Sequence, residues 1–344
     1  MPGPADPAGD ADACLASGSS DGSEADAEAE SGPEPRQAVA GANQHGQRLD
    51  LALVELAPEF SRNHLQHLIE QGHVQIDGKV VQTASRRIKA GQSLHVLLVP
   101  TEESRAFRPQ PMVLQLLYED EHLMVLDKPA GLVVHPAPGH WQGTLLNGLL
   151  AHHPTAATLP RAGIVHRLDK DTSGVMMVGK SLPAVTALVR AMAARQVHRR
   201  YLALAHQPRQ GQRPQAAALT AGESMTIDAP IGRDPLVRVR MAVVAGGRDS
   251  RTDVTCLAAD GQVAALSCTL HTGRTHQIRV HLSSRGWPLL ADAVYGGRPA
   301  LGLMRQALHA TELRLSHPLT GKALAFACPP PADFAAAWRQ LLPT

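Results

Sequence analysis

Ile164-Val165-His166-Arg167-Leu168-Asp169-Lys170-Asp171-Thr172-Ser173-Gly174 is a short apolar lead followed by a dense polar segment, and the apolar run Val175-Met176-Met177-Val178 follows at once. The pattern predicts a strand, a tight loop and a second strand, which is how a rigid scaffold presents catalytic side chains. Upstream, residues 113–118 and 123–127 are apolar or alternating runs split by Glu119-Asp120-Glu121, as in a hairpin. Downstream, Pro183 opens a helix whose Val185, Leu188, Val189 and Met192 share a face, and the chain re-extends at Tyr201-Leu202-Ala203-Leu204. Further strand-like runs lie at 239–244, 252–258, 263–270 and 312–315, so residues 112–344 read as one mixed α and β domain with many strands.

Residues 48–98 form a separate unit. Leu49, Leu53 and Leu56 recur at helical spacing, Ser61 is placed to cap a second helix bearing Leu65, Leu68 and Ile69, and Gly72 ends it. Val74 and Ile76 then alternate into the tight-turn pair Asp77-Gly78, with Lys79-Val80-Val81 returning. Residues 99–111 are polar and proline-punctuated, a linker. Residues 1–47 hold nine acids and one base and almost no large apolar side chains, which predicts a disordered acidic tail.

The formal charge of the whole chain is +2, yet the first 47 residues carry −8, so the remainder carries +10. A basic body of this kind suits a polyanionic partner. Cys14, Cys256, Cys268 and Cys328 are scattered without a C-x-x-C pair, which argues against a disulfide framework or a zinc site and for a cytoplasmic address. No apolar run approaches the length of a membrane helix. Aromatics make up 3% of the chain, too few for a sheet that stacks several bases in a row, so charge and shape must hold any nucleic acid. His271, His276 and His281 are five apart, a step that converges on neither a helix nor a strand, so no metal site is expected. His152-His153 is expected at a helix end before Pro154.

Two resemblances follow from longer strings. Arg48-Leu49-Asp50 with Leu53, then Ser61-Arg62 with Ile69, then Gly72, Val74, Ile76, Asp77 and Gly78 resemble the S4 RNA-binding domain. His166 through Gly174 resembles the active-site motif of the RluA/RluD family of ribosomal large-subunit RNA pseudouridine synthases, nearest its RluD branch. Lys128-Pro129-Ala130-Gly131 is similar to that family's first motif, a turn beneath the site. Arg199-Arg200-Tyr201 is similar to its tyrosine segment, and Gly273-Arg274-Thr275-His276-Gln277-Ile278-Arg279 to its last motif. Two departures stand out: Leu290-Ala291 precedes Asp292 where the family usually has Gly, and Asp234 stands where His is common. The implied fold is α+β: a small helix-hairpin S4-type domain, then a catalytic domain built on a mixed, largely antiparallel central sheet with flanking helices.

The resemblance implies that Asp169 is the carboxylate that attacks the nucleoside, that Arg279 pairs with it, and that Tyr201 faces uracil and takes the proton from C5. Arg167 is implied to brace the stack vacated by a swung-out uridine. His166, Arg274 and Ile278 are expected at the substrate, Arg199 and Arg200 as positive charge at the pocket rim, and Arg62, Lys79, Arg86 and Arg87 on RNA through the S4-like unit. Asp171 and Thr172-Ser173-Gly174 are assigned to shaping the loop, and the Asp of Arg48-Leu49-Asp50 to a structural role at a helix start. The expected reaction is uridine isomerisation in large-subunit ribosomal RNA, at the helix 69 stem-loop, by a monomer without cofactor acting on free RNA or on an assembling subunit. Alternatives are the same chemistry at another ribosomal site or in tRNA, or an RNA-binding assembly factor.

Overall fold

The computed structural model describes residues 33–99, 106–137, 139–208, 217–237 and 240–342. The chain divides into two compact units, Met1–Pro100 and Thr101–Thr344.

The first unit comprises β1 (Glu34–Val39), α1 (Leu49–Leu56), α2 (Arg62–Glu70), β2 (Val74–Ile76), β3 (Lys79–Val80) and β4 (Ser93–Leu98). Leu49, Leu53, Leu65, Leu68 and Ile69 are buried against Val74, Ile88, Leu94 and Val96, the apolar faces that the helical and alternating spacings mark. Ser61 caps α2 by accepting from the His64 N–H at 3.3 Å. Asp77 and Gly78 both take positive φ, as the tight β2–β3 turn requires. Asp50 lies in the first turn of α1, but its buried carboxylate joins α1 to α2 by accepting from Arg48, from Arg62 at 2.7 Å and from Gln66 at 2.6 Å.

The acidic tail expected to run to residue 47 stops short of that. Glu34–Val39 is an edge strand, antiparallel to β4 with Glu34 opposite Leu98, in a sheet of order β1-β4-β2-β3. Composition failed here because a sheet edge recruits backbone N–H and C=O groups and makes little demand on side chains; Val39 of this strand is 66% exposed. The tail expectation for residues 1–32 lies outside the described residues.

The second unit contains β5 (Gln115–Glu119), β6 (Leu123–Lys128), α3 (Leu145–His152), β7 (Ser173–Gly179), α4 (Leu182–Ala193), β8 (His198–His206) and β9 (Ser224–Asp228). After these come β10 (Ile231–Arg233), β11 (Met241–Val243), β12 (Arg251–Ala259), β13 (Val263–Leu270), α5 (Gln277–Ser284), β14 (Leu308–Ser316), β15 (Ala323–Ala327) and α6 (Ala332–Leu341). The main sheet runs β5-β6-β7-β14-β8-β13-β12-β9 with β15 beside β14, while β10 and β11 pair separately. Among the described residues only the short β7–β14 contact is parallel, at Ser173 opposite His309 and Gly174 opposite Ala310. The sheet is thus mixed and largely antiparallel. Every residue of β7 is buried, as in a central strand covered on both faces.

Three local expectations change. Ile164 forms a single bridge to Val178 instead of a strand, and Gly163 beside it lies so close over Gly179 that a Cβ would overlap its carbonyl. Val189 is exposed, and α4 buries Ala184, Val185 and Leu188 instead. The last residues of the expected linker dock on α3, since Asn147 Nδ2 donates to the Ala106 and Arg108 carbonyls at 2.9 Å each. Asn147 is buried and capped by Thr144, so its remaining donors seek backbone acceptors, and this stretch provides them.

Candidate active site

The polar loop between Ile164 and β7 is held from below. Lys128 is wholly buried at the end of β6 and donates to the carbonyls of Pro129 at 2.7 Å, Leu132 at 2.9 Å and Lys170 at 3.0 Å. Burial lowers its pKa to about 8, opposed by the fields of Asp169 and Asp171. The Thr172 N–H donates back to the Asp169 carbonyl at 3.1 Å, and Gln306 donates to the Thr172 hydroxyl at 2.9 Å. Arg305 holds the Asp171 carbonyl at 2.9 Å. Gly174, at φ +118, passes so close to β14 that a Cβ would overlap the Ala310 carbonyl. The loop-shaping expectation for residues 171–174 agrees with these contacts.

This anchoring presents Asp169 at the wall of a cavity of about 510 Å3. Its carboxylate accepts from Arg279 Nη1 at 2.9 Å, a pairing across 110 residues of chain. Arg279 projects from α5, whose entry is built by Gln277: its side chain accepts from the Thr272 hydroxyl and the Arg274 N–H and donates to the Arg251 carbonyl and Thr252. The other edge of the guanidinium is clamped by Asp292, with Nε to Oδ2 at 2.7 Å and Nη2 to Oδ1 at 2.8 Å. Its carbon lies 5.0 Å from the centre of the Tyr295 ring. Desolvation opposes the charge on Arg279, yet the two carboxylates hold its pKa above the ordinary value. A guanidinium clamped by one carboxylate presents its free edge to a second and fixes the direction in which that carboxylate points.

His276 lies beside this pair, with Nε2 3.8 Å from Asp169 Oδ1. Its Nδ1 lies 2.8 Å from the Tyr295 hydroxyl, which also accepts from the Met241 N–H. Burial lowers the His276 pKa, in keeping with a neutral ring. His271 instead meets Asp253, and His281 is buried between Thr252 and the Ala229 carbonyl, so the three histidines do not converge. His152 and His153 end α3, bonded to Glu119 and to the Lys180 carbonyl.

Eight of the residues singled out from the sequence line this one cavity: Asp169, Tyr201, Arg279, Arg167, His166, Arg199, Arg274 and Ile278. Tyr201 is buried, and that burial raises its phenol pKa, so the hydroxyl is neutral near pH 7. His166 Nε2 accepts from the Met177 N–H at 3.0 Å, and burial with the Arg199 charge lowers its pKa to about 3. Arg167 is exposed. Arg200 does not join them: strand alternation sends it to the opposite face of β8, where it pairs with Glu312 at 2.5 Å. Arg199, expected at the rim, is buried. Arg62, Lys79, Arg86 and Arg87 lie exposed in the first unit, Arg62 tied to Asp50 and Arg87 to the Gly46 carbonyl.

Sequence reasoning missed Asp292, His276 and Tyr295 as parts of the site. The signal was present in Asp292 and Tyr295, which stand beside the Leu290-Ala291 departure. Ala291 adopts the left-handed conformation at φ +56, which accounts for the glycine usual before this Asp. Asp234 accepts from Leu236 N, Val237 N and Arg240, away from the cavity.

A largely antiparallel sheet that carries an Asp–Arg pair and a tyrosine into one pocket, after a helix-hairpin unit, defines a class of RNA-modifying enzyme. Residues 122–284 match the RNA pseudouridylate synthase family and residues 47–94 match the S4 domain. The chain belongs to this family and is an RNA pseudouridine synthase with an N-terminal S4 domain. It is 44% identical over 302 residues to a ribosomal large subunit pseudouridine synthase D of Nitrosomonas europaea, covering 86% of this chain and 84% of the relative. It is 45% identical over 303 residues to the protein of the same name in Neisseria meningitidis serogroup B, covering 84% and 77%. A solved human protein, RNA pseudouridylate synthase domain containing 1, is 25% identical with a TM-score of 0.48, covering 70% of this chain and 90% of its own.

Proposed function

We propose that the protein converts uridines of large-subunit ribosomal RNA to pseudouridine, with the helix 69 stem-loop as target and Asp169 as nucleophile. The names of its relatives support the substrate, and the RNA-binding S4 unit suits it. The observation that carries the chemistry is the Asp169–Arg279 contact of 2.9 Å in a cavity that also holds Tyr201.

The reaction breaks N1–C1′ and forms C5–C1′. It is redox-neutral and adds no atoms, so it calls for no cofactor. Arg279, held by Asp292, aims the Asp169 carboxylate. Tyr201 offers a flat face to uracil; being neutral, it takes the C5 proton only as it passes its own on. Arg167, exposed at the cavity, occupies the stack left by the extruded uridine. Arg62, Lys79, Arg86 and Arg87 grip the RNA backbone, and the protein works as a cytoplasmic monomer.

Carbodiimide mapping of pseudouridine tests the target in ribosomal RNA from cells with the gene, without it, and complemented with Asp169→Ala. Helix 69 adducts that vanish on deletion and return only with the wild-type gene are expected. An unchanged helix 69 pattern overturns the reading.

A further inference from the structure

Arg199 is the buried cation that the site leaves without a counter-ion. It is 7% exposed on β8, two residues before Tyr201 and on the same face of the strand, and both side chains line the cavity. Its Nε is buried without a hydrogen-bond partner, and it makes no ion pair with any described residue. Arg279 in the same cavity has two carboxylates. His166 and Tyr201 beside it are neutral, and the Asp169 carboxylate on the same cavity is paired with Arg279 instead. It lies close over Gly273, where a Cβ would come within 2.7 Å of Arg199 Nη1, so the guanidinium rests against bare backbone. An unpaired buried cation is costly, and such a cost persists where a ligand supplies the missing charge. RNA phosphates are better served by Arg161 and Arg167, which are exposed on the same cavity.

We propose that Arg199 is a catalytic residue that neutralises the negative charge developing on uracil as N1–C1′ breaks. The proposal rests on the isomerisation described above. The N1–C1′ electron pair leaves with uracil, whose charge spreads over N1, O2 and O4, while a carboxylate oxygen of Asp169 bonds to C1′. C5 of the anion then attacks C1′ and expels the carboxylate. Loss of the C5 proton and gain of one at N1 complete the isomerisation. Attack at C6 instead places the same charge on the C4 carbonyl oxygen, so the need for a cation does not depend on the point of attack. A guanidinium already desolvated in the cavity wall meets that charge with little reorganisation, and this makes it most effective where charge develops.

The test compares wild type with Arg199→Met and Arg199→Lys, reading the single-turnover rate of tritium release from C5-tritiated large-subunit RNA, the RNA Kd with its salt slope, and Tm. Arg199→Met should slow the saturated reaction about 10²–10³-fold, as expected for loss of one preorganised donor to a developing anion. Its Kd should stay within about twofold of wild type, and its Tm should not fall, because an unpaired buried charge has been removed. Arg199→Lys should recover part of the rate. On RNA carrying 5-fluorouridine at the target, where fluorine itself stabilises the uracil anion, the Arg199→Met deficit in N1–C1′ cleavage should shrink. Three outcomes overturn the role: an undiminished rate, a deficit confined to Kd with a salt slope one phosphate shallower, or a lowered Tm with equal deficits on both RNAs. Absence of wild-type turnover overturns the substrate reading and this role with it, whereas wild-type turnover matched by Arg199→Met overturns this role alone.

Discussion

Replacing Asp292 with Asn removes one charge from a carboxylate that never faces the reacting base, and the Asp169–Arg279 geometry dictates that the change reaches it. Arg279 directs two hydrogen bonds to Asp292 and one to Asp169. Asn offers one acceptor and turns an amino group toward the second N–H, so one buried donor loses its partner, at about 1–3 kcal/mol. For a unit of this size, 2 kcal/mol corresponds to a Tm about 4–8 °C lower. The guanidinium, released on one edge, swings toward the remaining carboxylate and carries Asp169 with it; a displacement of about 1 Å in such a group lowers the rate on the order of 10²-fold. Calorimetry gives the first number and single-turnover tritium release the second. An Asp292→Asn protein with wild-type Tm and wild-type rate would refute the clamp as the device that aims Asp169.

Gly174→Ala should destabilise the second unit by roughly 3 kcal/mol, visible in urea unfolding, because φ +118 and the Ala310 carbonyl leave no room for a Cβ. Asp50 is held well below the usual carboxylate range by Arg48 first, then Gln66 and Arg62, against its burial. Its contribution is therefore full above pH ~4 and lost as pH falls below that, and Asp50→Asn should flatten the acid limb of stability measured on the full chain. His166 is depressed to about 3 by burial and the Arg199 charge, so its neutral form contributes fully above pH ~6.5 and less as pH falls from there toward 3. His166→Gln keeps an acceptor for the Met177 N–H and should weaken the loss of Tm between pH 6.5 and 4; an unchanged slope would count against a buried neutral ring.

What could be read in advance follows from how local each signal is. The helix-hairpin unit was legible from Ser61, Gly72 and Asp77-Gly78, since caps and turns are set by residues adjacent in the chain. The site loop was legible because nine consecutive residues carry it. The Asp169–Arg279 pairing spans 110 residues and was anticipated only through family resemblance, as no spacing rule reaches that far. Asp292 escaped because its part depends on meeting Arg279 in space. Arg199 and Arg200 were read together as rim charge although strand alternation separates them, one into the cavity wall and one onto Glu312. β1 escaped for the opposite reason: its side chains say little, and a backbone ladder with one side-chain bond, Gln37 to Ser93, holds it to β4.

The most direct measurement is tritium released from C5-tritiated large-subunit RNA by wild type and by Asp169→Asn, a substitution of nearly equal shape that leaves Arg279 bound to Asp292. Release by wild type and none above background by a folded Asp169→Asn that still binds RNA is the expected result. Release by Asp169→Asn at the wild-type rate would contradict the assignment of the chemistry to that carboxylate.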